Sequence, residues 1–219
     1  MVTLDEVRKH PKIDAFLHQA NEHLGAEGFT EHGFRHAQLV SSISRQVLSR
    51  LGYTEREAEL AAIAGYLHDL GNVVSREQHG RNGACLVAPF LFELGMEPAE
   101  VATVIGAIGN HEEQVGKAVN AVAAALILAD KSDVHRSRVR NPDLAKFDIH
   151  DRVNYAVERS FLNVDGARRT VTLDLTIDVR MVPVMEYFEI FLTRMVMCRR
   201  AAEFLSARFG LVINHATLL

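Results

Sequence analysis

GYLHDLGN, residues 65–72, closes an apolar stretch with an imidazole and a carboxylate side by side. The capping-box pattern Thr54-Glu55-Arg56-Glu57 starts a helix ahead of it, and Gly71 is well placed to stop it. On that helix Ala61, Ala64 and His68 share one face, with Leu60 and Leu67 beside them. His68 and Asp69 are therefore expected in the interior. A buried carboxylate without a partner costs several kcal/mol, so a compensating group must come from elsewhere in the chain.

Four further positions meet that requirement. His36 shares a helix face with Leu39, Val40, Ile43 and Val47, and His79 shares one with Gly83, Leu86 and Phe90. His111 continues the stripe of Val101, Val104 and Ile108, and Asp130 that of Val119, Ala123 and Leu126. A lone histidine on an apolar face is more often a hydrogen-bonded core residue than a ligand. An aspartate at a helix C-terminus also faces the unfavourable end of the dipole. Delivered together from the core faces of separate helices, these groups are better explained by a shared cation. Four imidazoles and two carboxylates without a thiolate suit Fe, Mn, Co, Ni or Zn and disfavour Ca or Mg. Six ligands exceed what one four-coordinate zinc requires. Two divalent transition-metal ions are expected, with Asp69 as the bridge because its neighbour His68 already binds one of them.

The chain of 219 residues, 48% hydrophobic with a formal net charge of −4, suits one good-sized domain. Helices are predicted over residues 2–23, 34–51, 79–94, 98–111 and 117–131, besides the one that ends at His68. After about residue 152 the pattern changes. Val171, Leu173, Leu175, Ile177 and Val179 alternate with polar residues as in a half-exposed strand, and Asp165-Gly166 marks a hairpin with residues 157–164. Pro183 opens a last helix to about Phe209. The expected plan is mainly α: a helical bundle over residues 1–151, then a small β-hairpin and a final long helix over 152–219. Cys85 and Cys198 read as core residues in a reducing compartment. No secretory signal is visible at the start, and the longest apolar run, AVNAVAAALILA at residues 118–129, is too short to span a membrane. A cytoplasmic location is expected. Of the 11 histidines, His10, His18, His23, His135, His150 and His215 are expected at the surface. His32, on a loop four residues before His36, is a weaker rival as ligand or support.

The ordered set His36, His68-Asp69 and Asp130 resembles the four-part pattern of the HD superfamily of metal-dependent phosphohydrolases, over roughly residues 33–140. The resemblance implies an HD-domain helical bundle. HGRNGA, residues 79–84, and Asn110-His111 are similar to segments of its two-metal branch. On that likeness His36, His68, Asp69 and Asp130 hold one ion, and Asp69, His79 and His111 the other. ALILADKSDVHR, residues 125–136, looks most like the HD-type symmetrical dinucleoside tetraphosphate hydrolases, whose Ala-Asp-Lys and following arginine are matched by Lys131 and Arg136. The cyclic-dinucleotide phosphodiesterases share the ligand pattern, but the segment 112–117 here lacks their Gly-Tyr-Pro motif.

The expected activity is hydrolysis of a phosphoester or phosphoanhydride by water that two cations acidify, with Asp69 and Lys131 as catalytic residues. Lys131, Arg136 and Arg138 would grip a phosphate, since HRSRVR at residues 135–140 is the basic cluster near the site. Glu112 is read as an exposed helix-end residue ahead of a part in orienting a ligand histidine or relaying a proton. The expected partner is a small phosphorylated substrate, a nucleotide foremost, with no membrane and no nucleic acid. A homodimer would cover the exposed strand edge. Two alternatives keep the metals: a di-iron oxygenase of the same superfamily, and a non-enzymatic regulatory module stabilised by metal.

Overall fold

Pro11 splits what the sequence reads as a single opening helix: α1 (Leu4–Arg8) ends before it and α2 (Pro11–Ala26) begins on it. A first-turn position leaves its N–H unpaired in any case, so the proline there costs no hydrogen bond. The computed structural model describes residues 1–113, 115–141 and 143–219; Gln114, within the segment that distinguishes the chain from the Gly-Tyr-Pro enzymes, lies outside them. His10, at the join of α1 and α2, is buried against the Phe90 ring and not at the surface as expected.

The helices that follow build the bundle. α3 (Phe34–Arg50) and α4 (Glu55–Leu67) pack along their length, and Thr54 caps α4 with the predicted capping box. The two backbones approach closely where Gly65 faces Ser41: a Cβ at residue 65 would lie 2.8 Å from the Ser41 Cα. The rings of His36, on α3, and His68, the C-cap of α4, lie with their centroids 5.1 Å apart. A 3-10 turn at Leu70–Val73 leads to α5 (His79–Glu93), and glycines again permit contact, since a Cβ on Gly71 would meet the His79 carbonyl at 1.9 Å. α6 (Pro98–Gly109) stops just short of His111.

α7 (Ala121–Lys131) is apolar on every side and sits in the middle of the bundle against α3, α4, α6 and α9 (Val184–Phe204). It starts later than the predicted residue 117 because Asn120 caps it, accepting the amide of Ala123 at 2.7 Å. Val119 thus falls outside the helix and is exposed. Leu39 likewise lies at the surface, and Cys85 is exposed because it sits two residues from both Gly83 and Val87, which hold the core face of α5. Cys198 is buried as expected.

α8 (Ile149–Ala156) runs directly into β1 (Val157–Asp165), which pairs antiparallel with β2 (Thr170–Ile177). The expected division at residue 151 falls within α8. α9 stops at Phe204, five residues before the predicted end. Ser206, at φ 54°, turns the chain into β3 (Arg208–Ile213), whose Phe209, Leu211 and Ile213 alternate inward. β3 lies parallel to β2 across the α9 crossover, and a short β4 (Ala216–Thr217) completes the order β1-β2-β3-β4. Among the described residues the fold is mainly helical with this small sheet, and no helix is long and apolar enough to cross a membrane.

Candidate metal centre

Four imidazoles meet at the centre of the bundle, all held in the same way. Nδ1 of His68 donates to the Gly65 carbonyl at 2.8 Å, that of His79 to Arg76 at 3.0 Å, and that of His111 to Ile108 at 2.6 Å. A carbonyl only accepts, so Nδ1 carries the proton in each and Nε2 keeps its lone pair. For His36 the Nδ1 partner is a carboxylate, Asp133 Oδ2, at 2.7 Å. The four Nε2 atoms then converge in two pairs: His36 and His68 at 3.2 Å, His79 and His111 at 3.0 Å. Two neutral imidazoles so oriented cannot hydrogen-bond through Nε2, because both offer a lone pair.

Asp69 stands between the pairs. Its Oδ2 is 3.5 Å and 3.3 Å from Nε2 of His36 and His68, and its Oδ1 is 3.4 Å from Nε2 of His79. Asn72 donates to Oδ1 at 2.9 Å, whereas Oδ2 is buried without any hydrogen-bond partner among the described residues. Asp130 Oδ1 lies 3.3 Å from His36 Nε2 and 3.7 Å from His68 Nε2. The donor atoms of His36, His68 and Asp130 lie within 4.8 Å of one another, as do those of His68, Asp69 and His111. His79 joins the second group through His111 and Asp69. An orphaned carboxylate oxygen among converging imidazole lone pairs fits divalent transition-metal binding.

The local field is strongly anionic. Burial works against ionisation of Asp69 and Asp130, yet both carboxyls are held well below the usual range, Asp69 chiefly by His68 and Asp130 by Lys131 with His36 and His68. Burial likewise disfavours the charged form of His68, but Asp69 and Asp130 outweigh it and lift that imidazole to about 10. His111 moves the other way, lowered by burial and then by His79 and His68. Without a metal that extra proton sits on His68 Nε2, the position that a cation would compete for.

Asp133 escaped the sequence analysis. It is buried three residues beyond Asp130, and Arg35 reaches it with Nη2 at 2.8 Å and Nη1 at 3.3 Å. A carboxylate on the far side of an imidazole fixes its tautomer and strengthens it as a ligand. The i,i+3 spacing from Asp130 was the available signal.

The centre opens into a cavity of about 670 Å³ that Lys131 lines, its Nζ donating to Asp130 Oδ2 at 2.7 Å and lying 3.7 Å from Glu113. The other two expected phosphate contacts are engaged with protein groups. Arg136 faces Glu158 at 3.3 Å and stacks on Tyr155, away from this cavity. Arg138 lines the cavity, but its guanidinium is buried and committed to the carbonyls of Asp133 and Glu31 and to His32 Nε2, the last at 2.8 Å. His32 thus supports Arg138 and is not turned to the metal donors. Glu112 is no free helix end: its Oε1 accepts the Gly80 amide at 2.6 Å beside His79. Arg76 and Arg194 also line the cavity, and sequence reasoning missed both. Arg76 lies on a short loop, and Arg194 is 63 residues beyond Lys131, so no spacing connects them to the ligands.

The HD domain family profile matches residues 32–158, a span that contains all six residues of the centre. An uncharacterized protein from Methanocaldococcus jannaschii is 28% identical over 178 residues, covering 71% of this chain and 68% of its own length.

Proposed function

The chain belongs to the HD domain family, a family of metal-dependent hydrolases, and on that premise we propose that it hydrolyses a phosphoester or phosphoanhydride of a small phosphorylated substrate, a nucleotide foremost. The observation that carries this reading is the convergence of four Nε2 lone pairs on an Asp69 carboxylate with one oxygen toward each pair.

His36, His68, Asp69 and Asp130 would hold one ion, and Asp69, His79 and His111 a second. Iron and manganese come first, with cobalt, nickel and zinc as further fits to the donor set. When bound, such ions supply an acidified water and neutralise charge on the phosphoryl oxygens. The protein's own part is positional and electrostatic. Asp69 ties the two halves of the site together. Lys131, buried between Asp130 and Glu113, directs its ammonium group to the cavity and counters charge on a bound phosphoryl group. Asp133 keeps His36 Nε2 aimed inward. The helices up to α7 would hold the metals, and α9 brings Arg194 to the cavity.

Within the family, Ala129-Asp130-Lys131 favours the branch of symmetrical dinucleoside tetraphosphate hydrolases. That likeness rests on these three residues, since Arg136 is turned to Glu158. The test is phosphate release across a panel of nucleotides and simple phosphoesters, with and without oxygen. Oxygen-independent release from a subset of the panel is expected. Two bound irons with no hydrolysis, and turnover only with oxygen, would overturn the reading in favour of an oxygenase.

A further inference from the structure

The cavity over the metal centre continues into a second chamber of about 310 Å³. Phe29, His32, Arg76, Arg138, His150 and Arg194 line both chambers and so mark the junction. Three of the six are arginines, and they are not equivalent. Arg138 spends its donors on protein acceptors. Arg194 uses Nε on Glu113 at 2.5 Å, and its terminal nitrogens have no hydrogen bond among the described residues. Its guanidinium lies over the Phe191 ring at 4.2 Å, which fixes the plane of the fork. Arg76 lies over Phe29 at 5.6 Å, with one long bond of 3.3 Å to Asn72 Oδ1. Its Nη1 is 4.0 Å from Asp69 Oδ1, beside the carboxylate that joins the two groups of donors.

We propose that Arg76 and Arg194 form a second anion clamp at this junction, so that the substrate carries two neighbouring anionic groups and is a diphosphate or longer anhydride rather than a monoester. The inference rests on the proposed phosphohydrolase reading, which places the reacting phosphoryl group at the metals. A strut between Glu113 and α9 needs only the Nε bond of Arg194. Its two terminal NH₂ groups, on a side chain 20% exposed, remain for an acceptor. A stacked guanidinium fork suits two phosphate oxygens at once. Arg76 lies within the span matched to the family and Arg194 outside it, so the C-terminal segment adds one arm of the clamp to the shared frame.

The test is calorimetric titration of the metal-loaded protein with methylenediphosphonate, whose P–C–P link resists hydrolysis, and with methylphosphonate. The wild type is expected to prefer the diphosphonate by about ten-fold or more, the equivalent of one charge-assisted pair. Arg194→Gln and Arg76→Gln should each collapse most of that preference, and Arg194→Lys should restore part of it. Thermal melts identify folded variants, and Arg76, on a loop, tests the clamp even where Arg194→Gln does not fold. A wild-type preference in folded Arg194→Gln and Arg76→Gln would reduce both arginines to struts and overturn the proposal. Wild-type preference with no phosphate release from any substrate would sink the catalytic reading alone, while release without preference would sink the clamp alone.

Discussion

Asp69 offers one oxygen to His36 and His68 and the other to His79, so Asp69→Ala removes a donor from both halves of the centre at once. Loss of most bound metal and of activity is expected, read by elemental analysis and phosphate release; wild-type turnover would refute the bridging role. Asp133 acts one step further out. Asp133→Ala leaves His36 Nδ1 without its 2.7 Å partner and is expected to weaken metal binding about 10–100-fold, as measured by competition with a chelator. An affinity unchanged from wild type would leave Asp133 with its Arg35 and Arg138 contacts to explain it. The residues of the centre were legible because each interrupts an apolar stripe, which is the signature of a buried polar group. Asp133 was not singled out, because it lies past Lys131, the last residue of α7, although Leu126 and Ala129 stand seven and four residues before it. Arg136 and Arg138 looked like phosphate contacts because sequence displays charge but not whether acceptors nearby already consume it.

At the scale of elements, the helices that carry ligands were readable from period and caps: Thr54 opens α4 with its capping box, and His36 rides the buried face of α3. What brings those two helices together was not readable. It is the absence of a side chain at Gly65, where Ser41 backbone occupies the space a Cβ would need. Gly65→Ala should therefore destabilise by roughly 1–3 kcal/mol through overpacking. Urea denaturation checks this, and a midpoint equal to wild type would show that α3 and α4 can separate freely. The breaks at Pro11 and Asn120 carry local signals, a first-turn proline and an N-cap, whereas the strand β3 was missed because a short apolar run fits either period until tertiary contacts choose. RFGLVI, whose first two residues were read as the end of a helix, is a strand because β2 offers it an edge to pair with.

Across the whole molecule, the bundle and the C-terminal segment meet at α7 and α9, which lie against each other, and at the ion pair from Glu113 to Arg194. The plan of a helical body followed by a small β element was visible in the change of periodicity near residue 152. That its last helix would line the cavity was not, because that depends on packing between distant parts of the chain. Since the centre draws on α3, the turn after α4, α5, the loop after α6 and the end of α7, bound metal should stabilise the bundle as a unit. At a thousand-fold excess of metal over Kd the linkage amounts to about 4 kcal/mol. For a chain of this size that is a fall in melting temperature of roughly 10 °C on chelation, followed by calorimetry; no change would mean that the metal contributes nothing to the fold.

The central claim is that the six converging side chains hold a two-metal centre, and metal content tests it most directly. Elemental analysis of protein purified anaerobically is expected to give about two transition-metal ions per chain. Less than one ion per chain, not raised by loading with iron, manganese, cobalt, nickel or zinc, would contradict it.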